Sequence, residues 1–379
     1  MPWGRSTAVR RPCHSRTGFC EALILRLRAC AMIYRLMGIE GRGGSAETRR
    51  LRPSWRWAVM LLIGAVSVGL LFLVAPPAEV FDQIDHMSPA WLAAAVVFEI
   101  LSCLSYVIVF RYFFPEPSRR DSWRVAWIAM GTGAVLPGGN FTSVAATGLV
   151  MRNKGLGMRQ LLGRCGALLC LVVGVGFLAN GVAGALLLAG VPDGPLDLSH
   201  TGIPILVTAA VISSAVLIVF VSRRGGERTP RPVRAFAVGL HGAWAALRHP
   251  SWRLVGAVGY TCLDAAALWA ACAATGHHLG FLAVLIACCI GYLTATIPVP
   301  AGLGVLDAGL AGALVLYGLP PAASVGAVLV YHAVSVWVPG CGGMIALLST
   351  RRIPITEHPP IVAPRLAGVQ LAEVTQAKP

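Results

Sequence analysis

The chain of 379 residues is 56% hydrophobic and only 12% charged, with a mean hydropathy of +0.72, a composition typical of polytopic membrane proteins and not of a large soluble domain. Its 31 Lys and Arg exceed its 16 Asp and Glu, but most lie in short segments between apolar runs, which indicates contact with lipid headgroups and disfavours nucleic-acid binding. No Cys-x-x-Cys pair or Cys/His metal spacing occurs, so we expect no metal or cofactor and interpret most cysteines as small apolar packing residues.

The N-terminal segment differs in composition from the rest of the chain. It is rich in Arg and lacks the roughly 20 consecutive apolar residues that a spanning helix needs. Its apolar stretch 19–37 is broken by arginines, which is typical of an interfacial basic helix and not of a secretory signal. The alternative is that translation starts at Met32 or Met37. We predict a basic cytoplasmic tail at 1–56, a transmembrane domain at 57–350 and a short cytoplasmic tail at 351–379.

Uninterrupted apolar runs predict a series of membrane-spanning helices. They cover 57–75, 91–110, 166–189, 203–221, 254–275 and 322–348. Two further apolar runs, at 125–150 and 281–317, are each cut near the middle by a cluster of Pro and Gly. The chain is therefore predicted to be an all-α polytopic membrane protein with about six to eight transmembrane helices and two interrupted segments.

The two interruptions lie at matching places in the two halves of the chain. The first contains Pro137, Gly138, Gly139 and Asn140, and the second contains Pro300, Gly302 and Gly304. Because Pro removes a backbone donor and clashes with the preceding turn, an apolar helix does not run through either cluster unbroken. Freed backbone groups are tolerated in a bilayer only where they face protein or water, so paired interruptions point to a transporter's substrate site.

The distribution of Lys and Arg predicts the orientation of the segments. Basic loops flank the run at 125–150 on both sides, whereas the loops around 281–317 are poor in Lys and Arg. Because basic loops are preferentially cytoplasmic, we interpret the first run as a re-entrant hairpin from the cytoplasm and the second as one from the opposite face of the cell membrane. Both termini are then cytoplasmic. Outside loops are predicted at 76–89, 191–202 and 276–280, and a basic cytoplasmic loop at 223–253.

The order helix, hairpin, helix occurs twice along the chain. The first hairpin lies between the runs at 91–110 and 166–189, and the second between those at 254–275 and 322–348. The two copies have opposite predicted orientations, which indicates an inverted-topology repeat. The run at 203–221 is interpreted as the odd crossing that inverts the second copy.

Four ionisable residues stand out within the apolar segments: Glu99, Asp264, Asp307 and His332. Intramembrane charges are costly and mark candidate functional positions. Glu99 and Asp264 lie at nearly the same distance before the two interruptions, so we predict that they face one shared interface. They could bind a cationic headgroup, pair with His332, or carry protons that drive transport. The alternative for each is a protonated carboxyl in a structural interhelical hydrogen bond.

Each interruption also begins a half-helix whose first N–H groups are unpaired and partially positive. Such N-termini suit a phosphate or carboxylate near the bilayer midplane, and an anionic lipid phosphate is the expected guest. It would be attracted at the cytoplasmic mouth by Arg152, Lys154, Arg159 and Arg164. Four basic residues in a loop are usually an ordinary positive-inside signal, which is the alternative here.

The second interruption and the residues after it, at 297–343, resemble the flippase-like integral membrane domain of lysylphosphatidylglycerol synthases and its stand-alone relatives. The matching features are a Pro-x-Pro-x-Gly-x-Gly-Val turn, an acid at Asp307, a Gly-Leu-Pro-Pro loop, and a helix with Tyr331, Trp337 and Pro339. The first interruption, with Arg152 after it, resembles the domain's other signature. The resemblance extends over about 57–352 and implies a lipid-handling membrane domain whose motif residues contact the substrate.

Together these features predict a translocase of lipids or other amphiphiles that is passive or ion-coupled, since no nucleotide-binding motif occurs. Expected partners are membrane lipids, namely an anionic or aminoacylated phospholipid or a polyprenyl-linked amphiphile, and an envelope-biosynthesis enzyme; nucleic acid is not expected. The resemblance implies no enzymatic activity, because the synthases add a soluble aminoacyl-transfer domain for which the segment after Arg352 is too short. The alternative is a non-transporting scaffold that binds lipid and assists an envelope lipid- or glycan-modifying enzyme. An intramembrane aspartyl protease is disfavoured, because Asp264 and Asp307 lack the motif spacing of that class.

Overall fold

The computed structural model of the chain describes residue 69 and residues 75–136, 139–152, 157–190, 198–225, 230–294 and 305–349. Every regular element in these residues is helical, which confirms the all-α prediction. The α-helices are α1 (Pro77–Asp85), α2 (Pro89–Phe113), α3 (Arg119–Val135), α4 (Asn140–Arg152), α5 (Met158–Leu188), α6 (Leu198–Gly225), α7 (Arg231–Arg248), α8 (Val255–Ala274), α9 (Phe281–Thr294), α10 (Val305–Leu316) and α11 (Pro321–Ser349), and a 3-10 turn at Trp252–Leu254 precedes α8.

Within the described part of the chain, five helical segments are long and apolar enough to cross a bilayer. They are α2, α5, α6, the segment Trp252–Ala274 that contains α8, and α11. The helices α9 and α10 have only 14 and 12 residues. At about 1.5 Å per residue they extend roughly 21 and 18 Å, less than the hydrocarbon thickness of about 30 Å. The predicted span at 57–75 lies almost entirely outside the described residues.

The helices α2 and α8 pack against each other along their whole lengths in antiparallel orientation. At one end the Ser88 N–H donates to the Ala274 carbonyl at 3.0 Å. At the other end the Arg253 guanidinium donates to the Arg111 carbonyl at 3.1 Å. Because these are the first long helices of the two proposed copies, their antiparallel contact is the arrangement that an inverted repeat predicts.

A glycine permits the close approach of α2 and α8. A Cβ atom added at Gly256 would lie 2.5 Å from the Ser105 carbonyl oxygen and 2.8 Å from the Val109 amide nitrogen, both in the backbone of α2. Small residues at interfaces let helix backbones approach in the absence of a hydrophobic driving force between helices in lipid. The position of Gly256 therefore decides how closely the two copies can pack.

The first hairpin consists of α3 and α4, which contact each other and are joined through Gly139 in a left-handed conformation at φ +46°. Glu116, which precedes α3, forms an ion pair with Arg164 in the second turn of α5. The hairpin therefore enters and leaves at one end of the helix bundle. Since Arg111, Arg164 and Arg253 also lie at that end, we call it the basic end.

The second hairpin consists of α9 and α10, and it enters from the other end of the bundle. There the Gln83 side chain donates to the Thr275 carbonyl at 3.2 Å, just beyond the end of α8. In the second turn of α11, Gly326 packs against Ile84 and Met87. The end of α8 and the start of α11 thus share one end, opposite to the basic end.

The contacts between elements repeat in the two copies, defined as α2, the first hairpin and α5, and as α8, the second hairpin and α11. In each copy the first helix contacts both the first hairpin arm and the last helix, and the second arm contacts that last helix. Across the copies, α3 packs on α11 as α9 packs on α5, and α2 packs on α11 as α8 packs on α5. These matched pairs indicate a pseudo-twofold axis through the α2–α8 contact.

Two amphipathic helices correct the predicted loops. The predicted outside loop at 76–89 contains α1, and the predicted basic loop at 223–253 contains α7. Each precedes the first long helix of its copy, and each packs on the last helix of the other copy, α1 on α11 and α7 on α5. The run at 203–221 lies in α6, which packs on α5 and α7, and its interpretation as the odd crossing stays a prediction.

The buried apolar residues form two clusters. One consists mainly of residues of α8 to α11, such as Leu268 and Val328, and includes Ala183 and Leu187 of α5. The other consists mainly of residues of α2 to α5 and includes Ala257 of α8 and Ala346 of α11. Both copies therefore contribute to each apolar core.

Candidate functional site

The polar centre of the structure lies where α2 and α8 cross. Glu99 and Asp264 lie near the middle of their helices and are 5% and 7% exposed. Between them and the basic end, the Ser102 hydroxyl donates to the Tyr260 carbonyl at 3.0 Å. The two carboxyl groups are close enough to interact electrostatically. Both acids thus lie at the α2–α8 interface.

Asp264 is held by two tyrosines from different helices of its own copy. The Tyr331 hydroxyl of α11 donates to its Oδ1 atom at 2.8 Å, and the Tyr292 hydroxyl of α9 donates to its Oδ2 atom. The two hydroxyl oxygens lie 3.1 Å apart. Because hydrogen bonds offset the cost of burying a polar group, this triangle fixes α8, α9 and α11 relative to one another.

Glu99 has a much poorer set of partners. Its Oε1 atom accepts from the Cys103 thiol at 3.8 Å, and its buried Oε2 atom has no hydrogen-bond partner among the described residues. An unpaired buried carboxyl oxygen is costly, and such groups in native structures commonly have a functional reason. Glu99 is thus positioned to take up a proton or to pair with a cationic group that enters the interface.

The two acids are equivalent only to within one helical turn. A Pro-x-Trp sequence marks the start of both first helices: Pro89 to Trp91 opens α2, and Pro250 to Trp252 lies just before α8. When the two Pro-x-Trp sequences are aligned, Asp264 of α8 is equivalent to Cys103 of α2, which lies one helical turn after Glu99. Since residues four apart share a helix face, both acids still face the same interface.

Asp307 and His332 form a second polar pair. Asp307 lies in the first turn of α10, and its carboxylate contacts the His332 Nδ1 atom at 2.8 Å. Both side chains are largely buried, and His332 directly follows Tyr331 in α11. The prediction left open that His332 pairs with Glu99 or Asp264, and the structure pairs it with Asp307 instead. Through α11 this pair is connected to the tyrosines around Asp264.

The structure describes only part of the two interruptions. The Gly139 carbonyl accepts from the Thr142 hydroxyl at 2.7 Å, which closes the turn into α4. Asn140 and Arg152 are the first and last residues of α4, and their side chains are outside the description. Pro137, Gly138, Pro300, Gly302 and Gly304 also lie outside the described residues. The role of the half-helix N-termini in binding an anion stays a prediction.

Tyr292 is the site residue that the sequence analysis missed. Tyr292 lies two residues before the end of the uncharged helix α9. In the sequence, its aromatic ring looks like one more apolar residue of that helix. Its hydroxyl is the available signal, because a Tyr within an apolar segment usually finds a hydrogen-bond partner. Among the described residues, no group of three His, Cys, Asp or Glu could hold a metal ion, and the described cysteines are free thiols.

A comparison with curated proteins finds no match for the chain. A protein-family comparison does find one, over residues 57–343, which include both hairpins and both copies of the repeat. The matched family is described as the lysylphosphatidylglycerol synthase TM region. Its membrane-embedded character agrees with the five candidate spans found among the described residues. Because the match extends over most of its length, this multi-pass membrane chain belongs to the lysylphosphatidylglycerol synthase TM region family.

Proposed function

We propose that the protein is a translocase that moves a lipid or a related amphiphile across the cell membrane without chemical conversion. The observation that carries this proposal is the asymmetric acid pair at the α2–α8 crossing, with Asp264 bonded to two tyrosines and the Glu99 Oε2 atom without a partner among the described residues. Substrate and coupling-ion sites of repeat-built transporters lie near the midplane, at the interface between the repeats. A buried, incompletely paired acid at that place suits a transport site.

The proposed transport cycle alternates exposure of this acid pair between the two ends of the bundle. Each hairpin contacts the last helix of the other copy, so a rocking motion of one copy against the other would open one end while closing the other. Glu99 binds a proton or the cationic part of the headgroup, while the acyl chains stay in lipid. Transport is proposed to be passive or coupled to an ion gradient, since no nucleotide-binding motif occurs in the sequence.

The orientation of the protein in the membrane is proposed from the positions of its basic residues, as in the sequence analysis. Arg111, Arg164 and Arg253 gather at the basic end together with the start of α3, and basic loops are preferentially cytoplasmic. The basic end and both termini are therefore proposed to face the cytoplasm. To test this, a single Cys would replace Arg152 in a variant whose native cysteines are replaced by Ser. Labelling by an impermeant maleimide only from the cytoplasmic side is expected, and labelling only from outside would overturn the orientation.

The transport proposal is tested with purified protein in vesicles that carry lipids with a fluorescent label in one leaflet. The panel contains anionic, zwitterionic and aminoacylated phospholipids, and the measurement is the rate at which label reaches the other leaflet. Wild-type protein is expected to raise this rate for at least one lipid, and Glu99→Gln is expected to abolish the increase. Glu79→Gln is the matched control, because it makes the same chemical change on the exposed surface of α1.

Two outcomes separate the competing functions. If no lipid in the panel exchanges faster with protein than without it, the translocase is refuted and the non-transporting scaffold is favoured. If exchange occurs but Glu99→Gln and Glu79→Gln behave alike, the protein transports lipid through a site other than the acid pair. Repeating the assay with and without a pH gradient distinguishes proton-coupled from passive exchange.

A further inference from the structure

A cavity lies at the basic end of the bundle, between the first hairpin and the last helix of the second copy. Its volume is about 530 Å³. Its walls include Arg119, Arg120, Trp123 and Arg124 from α3 and Ile345 and Ser349 from α11. It is separate from the acid pair, which lies at the middle of α2 and α8.

The cavity carries excess positive charge. Arg119 and Arg120 form no ion pair among the described residues, whereas Arg124 lies 3.9 Å from the Asp121 carboxylate. These residues form the first two turns of α3, whose N-terminus is capped by the Ser118 hydroxyl. The partial positive charge of a helix N-terminus adds to that of the guanidinium groups. Two unpaired arginines beside a helix start form a strong electrostatic site for a phosphate group.

The other side of the cavity is apolar and continues toward lipid. Gly342 lets α11 pack directly on the Trp127 ring, since a Cβ atom there would lie 2.2 Å from the ring carbons. Next to this contact, Ile345 and Leu348 of α11 are 67% and 61% exposed. In a bilayer these exposed apolar side chains face acyl chains. The cavity thus joins a cationic pocket to a lipid-facing surface.

We propose that this cavity binds the phosphate-bearing headgroup of an anionic lipid, with the acyl chains along the exposed face of α11. Arginine forks match the geometry of phosphate oxygens, and Trp123 lies where an interfacial aromatic residue contacts the headgroup level. The equivalent contact in the other copy, α5 with α9, has no counterpart of these arginines on its hairpin arm, since α9 is uncharged. The site is therefore specific to the basic end, and its existence does not depend on transport.

Binding is measured on the full-length protein in detergent, by native mass spectrometry after incubation with equal amounts of dioleoylphosphatidylglycerol and dioleoylphosphatidylcholine. Wild-type protein is expected to retain the anionic lipid preferentially. The double variant R119Q/R120Q is expected to lower its affinity by about tenfold, because two charge-assisted contacts to phosphate are lost. The variant R223Q/R224Q is the matched control, since it removes two arginines at the end of α6, away from the cavity.

A second variant and a competition separate the explanations. Ser349→Trp fills the mouth of the cavity without changing the charge, and it is expected to reduce binding of the anionic lipid in a protein that melts at the wild-type temperature. An equal loss in R119Q/R120Q and R223Q/R224Q would overturn the proposal, because overall charge would then account for binding. Displacement of the lipid by millimolar inorganic phosphate would assign the site to free phosphate and also overturn it, whereas glycerol phosphate and inorganic phosphate are expected to have little effect.

Discussion

Asp264 and Glu99 occupy the same crossing of two antiparallel helices, yet their surroundings differ. Asp264 accepts hydrogen bonds from Tyr292 and Tyr331, whereas one oxygen of Glu99 has no partner in the described part of the chain. The helices around them repeat with pseudo-twofold symmetry, but the side chains do not. The difference indicates that the repeat supplies the frame, while the chemistry of each half is set by a few polar residues.

The charge of the two hairpins differs in the same way. The first hairpin begins with Arg119 and Arg120, whereas α9 carries no charged residue. A symmetric frame with arginines on the first arm of only one hairpin makes the two ends of the bundle chemically distinct, which a transporter with a preferred lipid leaflet would need.

The comparison of the two acids is tested most strongly by neutralising each in turn. Asp264→Asn is expected to abolish lipid exchange and also to destabilise the protein, because one tyrosine hydroxyl loses its carboxylate acceptor at a cost of about 1–3 kcal/mol. Glu99→Gln is expected to abolish exchange with little change in stability, since a weak thiol bond is the one hydrogen bond that Glu99 accepts among the described residues. Exchange rates and thermal melts measure both, and equal destabilisation by the two changes would contradict the asymmetry.

The contact between the two copies is tested at Gly256. Gly256→Ala is expected to destabilise the protein by about 1–3 kcal/mol, because the added methyl overlaps the α2 backbone and forces the helices apart. Gly174→Ala in α5 is the control, since its Cβ would meet no atom within 4 Å. Denaturation in detergent measures both variants. Equal stability of the two would show that the α2–α8 approach is not limited at Gly256.

The two tyrosines that hold Asp264 are expected to contribute unequally. Tyr331 is 3% exposed and Tyr292 is 46% exposed, so a water molecule or polar substrate group that enters the interface can replace the Tyr292 hydroxyl more readily. We expect Tyr331→Phe to lower the free energy of unfolding by about 1–2 kcal/mol and Tyr292→Phe by about half as much. The same denaturation assay measures both variants. A larger loss of stability in Tyr292→Phe would show that Tyr292, and not Tyr331, contributes more to holding Asp264.

An effect as small as that of Tyr292→Phe is expected at the Asp307–His332 pair. His332→Gln keeps a hydrogen-bond donor near Asp307, so we expect a loss of stability of about 0.5–1 kcal/mol and a reduced rate of exchange. Asp307→Asn should cost less stability in a His332→Gln background than in the wild-type protein, since residues of one pair are not additive. Additive losses would indicate that the two residues act separately.

The membrane-crossing elements were the most predictable part of the fold. The run at 91–110 became α2 at Pro89–Phe113, and the run at 322–348 became α11 at Pro321–Ser349, because apolar length and helical hydrogen bonding dictate such segments in a bilayer. The amphipathic helices α1 and α7 were missed, since their charged faces lower the average hydropathy to that of a loop.

The amino-acid sequence alone predicted that this is a membrane protein of the all-α class. It also predicted the two interrupted segments and the candidate acids Glu99, Asp264 and Asp307. These follow from composition and from the high cost of charge and of unpaired backbone in lipid. The partners of those acids were decided by tertiary packing: Tyr292 and Tyr331 for Asp264, and His332 for Asp307. Contacts between residues far apart in sequence depend on helix rotation and crossing, which apolar runs do not specify. The Glu99 oxygen that has no partner among the described residues is therefore visible only in the folded chain.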